Sequence, residues 1–176
     1  SGTISSATEK GLDGVLENAG TLDVTGSNFY FGYQSGPSFV GMLNNLPGGT
    51  ITVVGDSDFT RNTNTGHAIN NQGTFRHTGA GTSDVSSIAF NNLGGTIDVQ
   101  AGTLKLVGGG RFNGNYVLAG GSVGLAFGTF TFQNGATSTG PGILAVVGTV
   151  TMDTGTSNLR NLTISSGALT MGSASS

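Results

Sequence analysis

His67, His77 and Asp84 are the residues of this chain best suited by type to proton transfer or metal binding. Two loop histidines ten positions apart, with no second cluster to complete them, match none of the spacings that hold zinc. Asp56-Ser57-Asp58 offers carboxylates to a hard cation. Calcium takes roughly six to eight oxygens, however, and neither an EF-hand loop nor the glycine-rich nonapeptide is present. The segment reads as a solvated turn. Acids are sparse, nine in all, and no two are expected in register on adjacent repeats, as paired-carboxylate hydrolysis requires. The residues therefore predict no catalytic centre, no metal and no cofactor. Phe29, Tyr30, Phe31 and Tyr33 form the densest aromatic cluster. Alternation buries Phe29 and Phe31 and turns Tyr30 outward, which makes Tyr30 and Tyr33 candidates for stacking on a sugar or anchoring a partner.

What positions these residues is a recurring string: an apolar residue, one or two Asn, a Gly, then Thr-apolar-x-apolar. Its clearest copies begin at Leu16, Leu43, Ile69 and Phe90. Recurrence at this interval, built from strand-sized pieces with Gly/Asn turns, predicts a β-solenoid. Asn18, Asn45, Asn71 and Asn92 fall at the same place in each copy. They are expected to form a structural ladder, amide upon amide, along one corner of the coil.

In the second half, apolar pairs of period two fall into three series. One holds Ile97/Val99 and Tyr116/Leu118, then weakens to Ala136/Ser138 and Leu159. The second holds Leu104/Leu106, Val123/Leu125, Leu144/Val146 and Leu162/Ile164. The third holds Phe130/Phe132, Val150/Met152 and Leu169/Met171. Three short strands per coil of about 20–25 residues describe a triangular all-β parallel β-helix. The general rule for parallel crossovers makes it right-handed. Val99, Leu106, Leu118, Leu125, Phe132, Val146 and Ile164 are the expected core columns. The whole chain, 1–176, reads as one solenoid. Its coils are long and irregular to about residue 96 and regular from about 97 to 171, with a short tail at 172–176. Surplus residues in the first half lie at Ser27 to Ser38, Asp56 to Gly66 and Thr78 to Ser87, and are expected as loops forming any binding face.

Composition narrows the class. Gly contributes 33 of 176 residues, Pro only 3, and charged residues 9%. A disordered chain carries more charge, and a collagen places Gly at every third position. With a net charge of −3 and six scattered Lys and Arg, nucleic acid is not an expected partner. There is no cysteine, and no apolar stretch approaches a membrane span, so membrane insertion is not expected either. Nor is a signal peptide evident, so an export signal is expected to lie outside this chain.

The string Asn91 to Leu106, Asn-Asn-x-Gly-Gly-Thr-Ile-x-Val followed by Gly-x-Leu-x-Leu, resembles the repeat regions of large bacterial surface proteins. These are filamentous-haemagglutinin-like adhesins and autotransporter passengers. The resemblance implies a right-handed, non-catalytic, extracellular or cell-surface stalk or filament segment. Its implied partners are flanking coils or further copies met end to end, and a cell-surface glycan or protein. As an alternative, the first-half loops make the chain a carbohydrate- or host-surface-binding module. Thr50-Ile51-Thr52, Thr129-Phe130-Thr131 and Thr149-Val150-Thr151 also resemble the outward Thr arrays of ice-binding solenoids. Asp23, Arg76, Asp98 and Lys105 at equivalent outward positions depart from that pattern. A polysaccharide-degrading β-helix is the remaining, weaker resemblance. Few small terminal residues follow Met171, so the solenoid is expected to be an excerpt or to stack on another copy.

Overall fold

The computed structural model describes residues 1–6, 8–33, 39–153 and 155–172. Every regular element among them is a β-strand, 23 in all. The strands fall into three parallel sheets of seven, eight and eight, and each sheet takes every third strand along the chain until the last coil, where the first sheet has no described strand. The result is a β-solenoid of about eight coils with three strands per coil, the eighth contributing two, as the repeat predicts. At the ordinary inter-strand spacing of about 4.8 Å the stack is about 35 Å long.

Register follows the inward-facing columns. In the first sheet one column runs Leu22, Ile51, Phe75, Ile97, Tyr116 and Ser138, and another runs Val24, Val53, His77, Val99 and Leu118. In the second sheet Lys10 opens a column that continues through Phe29, Phe59, Val85, Leu106, Leu125, Val146 and Ile164. Apart from Lys10, His77, Ser138 and Ile164, these side chains belong to a single continuous apolar core. At one end of it, Gly2–Ser6 pairs with Thr21–Gly26, setting the half-buried Ile4 against Val24. Lys10 is only 8% exposed, and its ammonium donates to Thr25 O at 2.9 Å and to Ser27 O. Burial lowers its pKa from the ordinary lysine value.

Several expectations need correction. Ile164 is not buried: it is 39% exposed, because it belongs to the eighth coil and no further described coil lies over it. Ser138, not Ala136, stands in register with Tyr116, so the weakened first series is shifted by one pair. The three surplus stretches are not plain loops. Each contains the second-sheet strand of its coil, Phe29–Phe31, Phe59–Arg61 and Thr82–Ser86. Part of the first stretch, 34–38, lies outside the described residues, as do 173–176 of the tail.

Tyr116 sits in the core against Phe112 and Phe132, with ring centroids 5.9 and 6.0 Å away. Its hydroxyl is buried without a partner among the described residues, and burial pushes its pKa well up. Tyr116→Phe should therefore raise stability at neutral pH by about 1 kcal/mol, since an unpaired buried hydroxyl is removed. The sign at alkaline pH follows from the raised folded-state value. Stability is level below the unfolded tyrosine range, about pH 10, and falls above it as the unfolded chain ionises more readily. The variant should lack Tyr116's share of that alkaline loss. Denaturant titrations at pH 7 and above pH 10 check both points, and a net loss at pH 7 would show that the hydroxyl has a partner.

Candidate functional site

The corner between the third and first sheets is the most elaborate polar feature of the molecule. In the first four coils the inward end of the third-sheet strand is Asn18, Asn45, Asn71 or Asn92, all buried. Asn18 Nδ2 donates to Asn45 Oδ1 at 2.8 Å, Asn45 Nδ2 to Asn71 Oδ1 at 2.7 Å, and Asn71 Nδ2 to Asn92 Oδ1 at 2.8 Å. Each of these Nδ2 groups also reaches the carbonyl of the Thr that opens the next coil: Thr50, Thr74 and Thr96.

The glycine of the string has a steric task here. A Cβ on Gly73 would lie 2.1 Å from Gly49 O and 2.9 Å from Asn45 Nδ2, and one on Gly95 would lie 2.6 Å from Asn71 Nδ2. Only Gly leaves room for the amide stack and for close backbone approach between coils. The following Thr then bonds the glycine of the coil below: Thr50 to Gly20 O, Thr74 to Gly49 O and Thr96 to Gly73 O, at 2.7–2.8 Å. From the fifth coil on, the asparagine position is taken by Phe112, Phe132, Met152 and Met171. Phe112 and Phe132 stack at 5.4 Å, so an aromatic stack replaces the amide ladder.

A second amide row runs on the outer face. Asn70 Nδ2 donates to Asn44 Oδ1 at 2.9 Å, and Asn91 Nδ2 to Asn70 Oδ1 at 2.8 Å. The signal for it lay in the doubled Asn-Asn of three copies. Strand alternation sends one asparagine of each pair inward and the other outward.

Beside this row lies an open notch of about 280 Å³, lined by Asn44, Asn45, Leu46, Asn70, Gln72 and Leu93. Its origin is the uneven length of one corner. Four residues separate Asn45 from Thr50 and three separate Asn92 from Thr96, but only two separate Asn71 from Thr74. The corner of the third coil is therefore recessed between its neighbours.

The other candidate residues lie elsewhere on the coils. Tyr30 is half-buried and Tyr33 is 44% exposed, with ring centroids 6.1 Å apart. Tyr33 lies directly on the backbone of Gly11, where a Cβ would come within 2.4 Å of its own. His67 is buried; Gly41 N donates to its Nδ1 at 2.9 Å and its Nε2 donates to Thr63 O at 2.6 Å. That pairing defines the neutral Nε2–H tautomer. His77 faces the core and its Nδ1 donates to Ala101 O at 3.0 Å. The two imidazoles therefore pin backbone rather than line a cleft.

Asp58 and Asp84 overturn the expectation that no two acids share a register. Phe59 pairs with Val85, so the aspartates just before them are neighbours on adjacent coils, and Asp84 N donates to Asp58 Oδ1 at 2.8 Å. The extra residues of the Asp58 coil follow its strand instead of preceding it, which brings the two aspartates into line. Asp84 Oδ2 is paired with Lys105 Nζ at 3.2 Å, and Arg76 with Asp98 at 2.8 Å one face away. Among the described residues no group of three or more His, Asp or Glu is placed to hold a metal ion.

Thr129 and Thr131 stand in register with Thr149 and Thr151 on the third sheet, whereas Thr50 and Thr52 lie on the first. The Thr pairs thus do not make one continuous face. No family model, curated protein or solved structure matches the chain.

Proposed function

We propose that the chain is a non-catalytic structural segment, a stalk or filament-forming part of an adhesin-like protein at a bacterial cell surface or outside the cell. The observation that supports this reading is the stack itself: three parallel sheets and one apolar core run through the described coils, so each coil presents its neighbours with the same kind of surface. Toward one end, in the eighth coil, the inward-type residues Ile164, Leu169 and Met171 are 39, 43 and 69% exposed. Strand edges with apolar side chains beside them favour pairing with another coil, and a further copy of the stack offers one. A contact of that kind joins unlike ends, does not close, and so propagates into a filament. Supporting it, the titratable side chains near one another are tied in ion pairs or in bonds to backbone rather than gathered in a cleft.

Sedimentation velocity over a concentration series tests self-stacking. The expected result is elongated species that grow with concentration and disappear in a Leu169→Lys/Met171→Lys double variant. A particle of unchanging size, indifferent to that substitution, removes self-stacking. Turnover of a polysaccharide by the chain overturns the non-catalytic reading.

A further inference from the structure

The geometry points to the notch at the recessed third-coil corner as a binding site for one neutral hexopyranose ring of a glycan. Size comes first. At about 280 Å³ the notch lies just below the roughly 300–1,000 Å³ of sites that take drug-sized ligands. Leu46 and Leu93 flank it two coil steps apart, about 10 Å. It is a seat for a single ring.

Chemistry then selects the ring. All six lining residues are uncharged, so nothing rewards an ion. Leu46 is half-buried and Leu93 is 36% exposed, giving two apolar jaws suited to the C–H faces of a pyranose. Between them lie amides with unspent capacity. Asn44 accepts one bond through Oδ1, and its Nδ2 has no partner among the described residues. Asn70 donates one N–H to Asn44, leaving the other. Gln72 is exposed, and its side chain makes no hydrogen bond to the described residues. Adjacent amide donors and acceptors match the vicinal hydroxyls of a sugar, each of which both donates and accepts. Asn45 plays no such part, since its amide is committed to the inner ladder. A peptide fits less well, because the backbone groups of these strands are already paired with the coils on either side and offer no edge for strand addition.

The test is an NMR titration of the 15N-labelled chain with the methyl glycosides of glucose, galactose, mannose, N-acetylglucosamine and N-acetylgalactosamine. At least one should move the side-chain amide signals of Asn44, Asn70 and Gln72 along a saturable curve, with a dissociation constant of order millimolar. Asn44→Ala should weaken that glycoside about 5- to 10-fold, the loss of about one hydrogen bond. Gln72→Trp, at an exposed position, should fill the notch and abolish the shifts while leaving the melting temperature unchanged. Silence from all five probes overturns the site. So do shifts that survive Gln72→Trp, or shifts centred on Tyr30 and Tyr33, which would move sugar binding to the aromatic pair. The sedimentation result has no bearing on this outcome, so the two readings fail separately.

Discussion

Asn71→Ala should destabilise the protein by about 3–5 kcal/mol, although it removes only a small polar side chain. Asn71 is fully buried, accepts from Asn45 Nδ2, and donates to Asn92 Oδ1 and Thr96 O. Truncation orphans an acceptor on each of two groups where water cannot replace the donor, and each orphan costs about 1–3 kcal/mol. A small cavity adds to this. Asn71→Asp sharpens the argument. It keeps shape and keeps the bond accepted from Asn45, yet turns lone pairs toward Asn92 Oδ1 and Thr96 O, so it should be at least as damaging at pH 7. Asn70→Ala is the control. It sits one residue away in the outer row, half-exposed, where water takes over the lost bonds, and it should cost less than about 1 kcal/mol. Chemical denaturation of the three variants decides. An Asn71→Ala protein within 1 kcal/mol of the parent would mean that the ladder decorates the corner without holding it.

The same corner shows why part of this molecule is legible in its sequence. The Asn…Gly-Thr string is a local record of one non-local event, the closing of a corner over the corner below. The amide needs a neighbour amide one coil away, the glycine must clear it, and the next residue must reach back for a carbonyl. Because every coil solves the same problem, the solution repeats, and so the period can be read. The apolar pairs of the second half are legible for the same reason: Leu104/Leu106 and Val123/Leu125 alternate strictly and stack on each other.

Where a coil satisfies its core differently, the pattern fades. Thr82-Ser83-Asp84-Val85-Ser86 has one apolar side chain and reads as loop, yet it is a full strand between Phe59–Arg61 and Thr103–Val107. Buried Ser57 and Ser83 occupy inward positions there because each hydroxyl finds a carbonyl, Gly26 O at 2.8 Å and Gly55 O at 3.4 Å. A hydrogen-bonded serine is acceptable in a core, but nothing in its residue type announces it. The aspartate pair was hidden by the same ambiguity, since a surplus of residues does not say on which side of a strand it falls. The notch is a third case. Corner lengths of four, two and three residues can be counted in the chain, but they become a recess only when the coils are stacked in this register.

Leu125→Ala should cost about 2–5 kcal/mol, the range for emptying a buried leucine site that cannot collapse. Leu125 is fully buried in the second-sheet column, between Leu106 below and Val146 above, and all three are closed to solvent. Parallel strands on both sides fix its backbone, so neighbours cannot slide in to fill the space, and the cavity term stays on top of the lost transfer energy. Thr131→Ala gives the contrast. Thr131 lies on the outer face of the third sheet, half-buried between Arg111 and Thr151, and its side chain has no cavity to leave; the change should stay within about 0.5 kcal/mol. Denaturant midpoints at constant slope provide the measurement, because a changed slope would signal that coils unfold separately rather than as one body. Each coil touches only the next, so a cavity in the sixth coil weakens the contacts on both of its sides and divides the stack between the five coils before it and the two after it. Two transitions in Leu125→Ala, with the parent showing one, would locate that division. Equal losses from Leu125→Ala and Thr131→Ala would contradict the inward and outward assignment on which every column described above depends.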